Sequence, residues 1–475
     1  MKIAMLASES NPFAKTGGLA DVVYALSEEL SKEHEVCVFM PLYPSLWKKK
    51  GFAPLLKATF PVIMNWRRQQ ATLYALEKDG IVFYFIHNPY YFDRENLYGY
   101  QDDGERFAFL SLAFVEALKV LDFKADIVHI HDWQAGMVPC IVREGRRGDP
   151  FFQRMRFVFT IHNPAFKGYL AKDSLFDLYD LPPHLFDIGT VRLNDMVSTL
   201  KSGLVYADKI STVSPTHREE LLHDPQYGLS GVLEFRKDDF VGIVNGIDIN
   251  EWDPAKDAFL NSPYSKTNFA TKKSGNRDAL LEAFSLPKDG GAIYGVVSRL
   301  TDQKGIDLIA DDIHEILANN SYLVVLGSGD PRLEARMQAI RNAYPDRVGV
   351  YFGYGEKLSH LIYAGSSFFL MPSLFEPCGI SQMIAKRYGS LPIVRETGGL
   401  VDTVRPYPED KKADGIRFRD FNDEGLSYAV QLSHRLYEDK KAYDSVVRRA
   451  MACDHSWRVS AEAYYALYLA ALEKN

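Results

Sequence analysis

Cysteine is scarce in this chain. Four occur in 475 residues, Cys37, Cys140, Cys378 and Cys453, far apart and in no CxxC pair or Cys/His cluster. That excludes a disulfide scaffold and the usual zinc patterns, and points to reduced thiols. Long apolar runs are also missing: no stretch approaches the roughly 20 residues needed to span a bilayer. The apolar run in the opening MKIAMLASESNPF is too short for a secretion leader and reads as a first buried strand. Positive charge is not in excess either: 55 Lys and Arg stand against 62 Asp and Glu, a net charge of −7. General nucleic-acid binding needs a basic surface, so this balance disfavours it. The chain is expected to be cytoplasmic, without membrane or nucleic-acid partners. Its oligomeric state leaves no trace in the sequence.

What is present is a rhythm. Short apolar runs alternate with helical patterns, as in KIAMLAS (2–8), EVCVFMPLY (35–43), DIVHIH (126–131), RFVFTIHN (156–163) and KISTVS (209–214). An antiparallel insertion is expected between 54 and 87. Further strands are expected at 241–246, 292–298, 321–327, 347–353, 367–373 and 391–396, with helices at 305–318 and 331–343 among others. Strand–helix alternation implies parallel sheets covered on both faces. The length calls for two or three cores. The reading is α/β, with two Rossmann-like doubly wound domains, 1–245 and 246–457, an irregular crossing over 250–275, and a final helix over 456–474. Two such sheets facing each other make a cleft at their strand C-terminal ends, where open α/β folds bind ligands.

Chemistry is therefore expected in the loops that follow strands. KTGGLADVV (15–23) places a lysine and two glycines before a helix; the glycines let the backbone approach a ligand, and the helix N-terminus favours an anion. Alone, such a pair of glycines is also an ordinary tight turn. HDWQAG (131–136) offers Asp132 and Trp133, a carboxylate and an aromatic face suited to sugar. The His129/His131 pair lacks a third ligand. TIHN (160–163) puts His162 at a strand end, where a core histidine is the plain alternative. VSRLTDQKG (297–305) sets Arg299 and Lys304 across a strand-to-helix loop, a fitting clamp for a diphosphate. SLFEPCGIS (373–381) brings Glu376, Gly379, Ile380 and Ser381 to the next such loop, and Tyr354 is placed to stack on a purine. A second TGGL, ETGGLVDTV (396–404), repeats the first but has a glutamate in front.

These motifs occur in an order that resembles the bacterial glycogen synthase and plant starch synthase family along nearly the whole chain. The KTGGLADV and SLFEPCG pair is the most specific part. The resemblance implies a GT-B glycosyltransferase that transfers glucose from ADP-glucose, with retention, to the non-reducing 4-hydroxyl of an α-1,4-glucan such as glycogen. It also implies that helix 458–475 packs back on the first domain. Position by position, it implies donor contacts from Lys15, Gly18, Arg299, Lys304, Tyr354, Gly379, Ile380, Ser381, Thr397 and Gly398. It places Glu376 and His162 with Arg299 and Lys304 at the reacting centre, and Asp21, Asp132, Trp133 and Asn245 on the acceptor side. Two cations and helix N-termini would meet the charge growing on the departing diphosphate, so no metal or other cofactor is expected, and no Asp-x-Asp motif is present. Where many retaining GT-B enzymes carry a second glutamate, eight positions after the first, this chain has Ile384. A UDP-glucose-using relative of the sucrose synthase type and a two-lobed sugar-binding protein are the rival readings.

Overall fold

The computed structural model describes residues 1–47 and 51–474. The chain divides into two compact units. One comprises Met1–Ile243 together with the segment from Trp457 onward; the other is Val244–Ser456.

The strands of the first unit are β1 (Lys2–Leu6), β2 (Glu35–Pro41), β3 (Leu55–Met64), β4 (Arg67–Lys78), β5 (Ile81–His87), β6 (Ile127–His131), β7 (Arg156–Ile161), the short β8 (Tyr169–Leu170), β9 (Arg192–Leu193) and β10 (Met196–Ser198), then β11 (Lys209–Thr212) and β12 (Phe240–Gly242). Nine of them form one sheet in the order β12-β11-β7-β6-β1-β2-β5-β4-β3; β8, β9 and β10 form a small separate sheet. β3 and β4 run antiparallel at one edge, as expected for the 54–87 insertion. The rest pair in parallel. Numbered among themselves, the parallel strands read 3-2-1-4-5-6-7, so the winding reverses between β1 and β6. Ligands of such sheets bind at that reversal, outside the strand C-termini.

Helix Gly18–Ser31 buries Leu19, Val22, Val23, Leu26 and Leu30, an apolar stripe at helical spacing. Helix Trp457–Leu472 packs on it and on β7 and β11. The Tyr468 hydroxyl meets His129 Nδ1 at 2.8 Å, and Lys474 Nζ reaches Asp239 at 2.5 Å, tying the chain's end to this unit.

The second unit has six parallel strands: β13 (Ile293–Val297), β14 (Tyr322–Leu326), β15 (Val348–Tyr351), β16 (Phe368–Met371), β17 (Leu391–Arg395) and β18 (Ile416–Phe418). Their order, β15-β14-β13-β16-β17-β18, reads 3-2-1-4-5-6, with the reversal between β13 and β16.

Three expectations need correction, and β18 was missed. The strand expected at 241–246 is shorter: it is β12, Phe240–Gly242, and pairs with β11 in the first sheet. The irregular crossing ends sooner than 275: helix Phe269–Ala283 begins inside it, anchored by buried Phe269, Asn276, Leu280 and Leu281. The helix at 305–318 is broken into Ile306–Asp311 and Ile313–Ile316 at Asp312, whose buried carboxylate accepts the Ser427 hydroxyl. β18 was unforeseen because it is a three-residue edge strand with a charged centre, Arg417.

Candidate functional site

In the second unit, two loops leave the reversal point, one after β13 and one after β16. They are stitched together. Leu374 N–H donates to Gln303 O at 2.8 Å, and Gln303 Nε2 donates to Phe375 O at 3.1 Å. Gly305 has φ +68°, and a Cβ there would lie 2.2 Å from Pro372 O, so only glycine permits this approach. From this frame Lys304 Nζ reaches Glu376 Oε2 at 2.5 Å, and the Ser373 hydroxyl donates to the same oxygen at 3.3 Å. Glu376 is buried. Arg299 is exposed, and its guanidinium has no hydrogen-bond or ion-pair partner among the described residues. A cavity of about 210 Å³ opens here, lined in part by Ser298, Arg299, Lys304, Ser373 and Ser381. The structure thus brings Arg299, Lys304, Glu376 and Ser381 to one place.

The neighbouring residues play different parts. Gly379 turns the chain at φ +74°, and Ile380 stands as the N-cap of helix Ser381–Arg387. Thr397 and Gly398 are buried behind Glu376: a Cβ on Gly398 would lie 2.0 Å from Glu376 O, and Gly399 N–H donates to that oxygen at 3.1 Å. Tyr354 does not line the cavity; it lies after β15 and is 85% exposed. Asn245, expected in the first domain, belongs to the second unit, buried, with its Oδ1 unpartnered. Sequence reasoning missed Ser373, Gln303 and Arg395. Arg395 donates from Nε to Ser373 O at 3.0 Å and so holds the Glu376 loop. Its one signal was an arginine closing an otherwise apolar strand.

In the first unit the loop after β1 is built around two anchors. Phe13 packs edge-on against Phe83 and Phe85, with ring centres 4.7 and 5.0 Å apart. Glu9, itself buried, accepts the Thr16 backbone N–H at 2.5 Å and the Thr16 hydroxyl at 2.9 Å. Burial pushes the Glu9 carboxyl up despite those bonds. Gly17 and Gly18 are exposed, with nothing within 4 Å of where a Cβ would stand. Lys15 Nζ pairs with Asp21 at 2.7 Å.

β6 and β7 deliver the histidines. His131 Nδ1 and His162 Nε2 are 3.0 Å apart. Burial holds His162 neutral, at about 3, and holds His131 neutral too, with His129 adding to the effect on the latter. One ring nitrogen therefore donates to the other. His131 Nε2 is buried without a partner. His129 spends both nitrogens on hydroxyls, Tyr468 at 2.8 Å and Thr160 at 2.6 Å. Asp132 sits at φ +55°, in the left-handed region that aspartate adopts more readily than most residues. Its Oδ1 accepts the N–H of His162 at 2.7 Å and of Asn163 at 3.3 Å. Burial raises its carboxyl to about 7. Trp133, edge-on to Phe107, lines a pocket of about 690 Å³ with Arg67, Tyr100, Phe166, Tyr169 and Asp177.

A family model described as the starch synthase catalytic domain matches residues 2–235, and one described as glycosyl transferases group 1 matches 280–449. Glycogen synthase of Anoxybacillus flavithermus is 44% identical, covering 98% of this chain and 97% of its own. The chain belongs to the glycogen synthase and starch synthase family. The Bacillus subtilis glycogen synthase is 42% identical over 98% of both chains. The catalytic domain of starch synthase IV from Arabidopsis thaliana, solved bound to ADP and acarbose, superposes with a TM-score of 0.89 at 31% identity, covering 100% of this chain and 99% of that one. A sucrose-phosphate synthase from Thermosynechococcus elongatus shares the fold alone, at 17% identity and a TM-score of 0.59. Like other glycogen synthases, this chain is a GT-B glucosyltransferase acting in α-glucan synthesis. Among the described residues, no helix is long and apolar enough to cross a membrane.

Proposed function

We propose that the chain extends an α-1,4-glucan by transferring glucose from ADP-glucose to the non-reducing 4-hydroxyl, with retention. The observation that carries the reading is the Lys304–Glu376 pair beside the unpartnered Arg299 at the β13/β16 reversal. The bond from the glucose anomeric carbon to the diphosphate breaks, and charge grows on the leaving oxygen. Arg299 and Lys304 meet that charge where it develops. Glu376, held by Lys304, Ser373 and the backbone behind it, accepts hydroxyls of the donor glucose. Neutral His162 offers the reacting sugar a hydrogen bond without adding a cation. Lys15 and the open Gly18 support the donor, and Asp132 and Trp133 support the acceptor. The bond to the 4-hydroxyl oxygen forms as the old one breaks, and the hydroxyl proton leaves with the diphosphate.

The reading needs no metal, because two side-chain cations supply the charge; activity is expected to survive chelation by EDTA. A cytoplasmic setting fits four free cysteines, three of them buried. The test is glucose incorporation into glycogen from ADP-glucose and from UDP-glucose, for the wild type and for Lys304→Ala. ADP-glucose is expected to be the better donor, and Lys304→Ala to lose about 100-fold or more in turnover with little change in glycogen affinity. Equal losses in turnover and affinity, or intact turnover, overturn the donor-phosphate role.

A further inference from the structure

The tip of the β3–β4 hairpin carries an exposed tryptophan that does not behave as a loose surface residue. Trp66 is 71% exposed, yet it is fixed on two sides. Its indole N–H donates to Asp177 Oδ1 at 3.0 Å. The Arg67 guanidinium lies 4.4 Å from the ring centre, over the indole. Arg67 is in turn held by Asp177 Oδ2 at 2.9 Å and by Glu105 at 3.4 Å. The hairpin tip itself is pinned, since Asn65 Nδ2 donates to Phe176 O at 3.1 Å. An exposed aromatic normally gives up rotamer freedom when it binds; here that freedom is already lost, and the ring remains largely open to solvent.

Its position is equally informative. Arg67 and Asp177, the two residues that hold Trp66, also line the pocket of about 690 Å³ that contains Trp133. Phe166, 60% exposed, and Tyr169, 38% exposed, line the same pocket, and Phe176, 51% exposed, sits beside the hairpin tip. Trp66 is thus joined, through Arg67 and Asp177, to a pocket that already holds the aromatic rings of Trp133, Tyr100, Phe166 and Tyr169. Flat apolar faces flanked by hydrogen-bond acceptors suit the faces and hydroxyl edges of pyranose rings.

We infer that this strip of the first unit is an extended glucan track, in which Trp66 stacks on a sugar ring several residues back from the non-reducing end. The inference rests on the proposed acceptor role of Trp133 and adds a chain-length preference to it. Trp66 touches no reacting atom; it makes long acceptors better than short ones.

The experiment compares maltotriose, maltoheptaose and glycogen as acceptors for wild type, Trp66→Ala and Trp66→Phe, with direct titration of maltoheptaose in the absence of nucleotide sugar. Trp66→Ala is expected to raise KM for maltoheptaose and glycogen and weaken maltoheptaose binding by about fivefold or more, with kcat and the maltotriose KM unchanged. Trp66→Phe should recover part of the loss. An equal loss on short and long acceptors, or no loss on long ones, overturns the track. A wild-type enzyme that elongates none of the three refutes the proposed activity instead, while the maltoheptaose titration still reads the track by itself. A thermal melt of each variant separates misfolding from lost binding.

Discussion

The sequence TGGL-x-D occurs twice, at 16–21 and 397–402, and the two copies fold into opposite situations. Each follows a parallel strand and opens a helix. In the first copy Thr16, Gly17 and Gly18 are exposed, and the glycines face open space. In the second, Thr397, Gly398, Gly399 and Leu400 are all buried, and the glycines press on the backbone of 376–378. The residue in front differs accordingly. Lys15 pairs with Asp21 in its own helix's first turn, whereas Glu396 pairs with Arg417 of β18 at 3.3 Å. The backbones differ too: Gly17 is the N-cap at φ −153°, whereas its counterpart Gly398 already lies in the helix at φ +44°. One copy leaves room for a ligand, and the other braces the loop that carries Glu376.

Substitutions can break this comparison. The largest effect is expected from Gly398→Ala. Its Cβ would meet Glu376 O at 2.0 Å at φ +44°, so a loss of about 2 kcal/mol or more should appear in thermal or urea unfolding, along with lost turnover. Unfolding that matches wild type would show that the second copy is not a brace. Lys15→Ala should come next, with turnover down about 100-fold and melting unchanged, while Glu396→Ala stays near wild type in turnover. Comparable kinetic losses from both would erase the distinction drawn from the residue in front.

A fourth variant tests the buried charge at Asp132, after β6. Asp132 is buried and its carboxyl is raised to about 7. A carboxyl raised on folding favours the folded state below its unfolded pKa, near 4, and that advantage is lost as pH rises through about 7. Asp132→Asn keeps an oxygen to accept the His162 and Asn163 N–H groups and removes the charge. It should therefore melt about 2 °C or more higher than wild type at pH 8, with a clearly smaller gain at pH 5, where only part of the penalty has built up. An equal shift at both values would assign the effect to the left-handed backbone instead. The smallest effect is expected from Gly18→Ala, which meets nothing and starts a helix: stability within about 0.5 kcal/mol of wild type, with only the donor KM rising. A large melting loss there would mean that the first copy is packed after all.

Much of the fold was legible in the sequence. The strands lie where apolar runs of five to nine residues stood between helical patterns, because strands buried on both faces leave little room for polar residues. β18 escaped because an edge strand of three residues, IRF, has no such run. The break at Asp312 escaped because GIDLIADDIHEILA reads as one continuous amphipathic helix, while the partner of the Asp312 carboxylate, Ser427, lies 115 residues away in sequence. At the candidate site, the residue types and their order were readable, and so was the charge difference between the two TGGL copies. Left unread were Ser373 and Arg395, which position Glu376 through a hydrogen bond to its oxygen and a bond to the loop backbone.

The sequence by itself determined the two parallel windings and the family, and it named the loops now proposed to carry the chemistry. Tertiary structure alone decided which glycines face open space and which face another backbone. It decided that Lys304 reaches Glu376 across 72 residues of chain. It also decided that Trp66 is held rigid by an aspartate 111 positions away. The physical reason is common to all three: local sequence sets dihedral preferences and burial periodicity, but an interaction between side chains or between backbones depends on the register in which distant strands meet, and no short stretch encodes that.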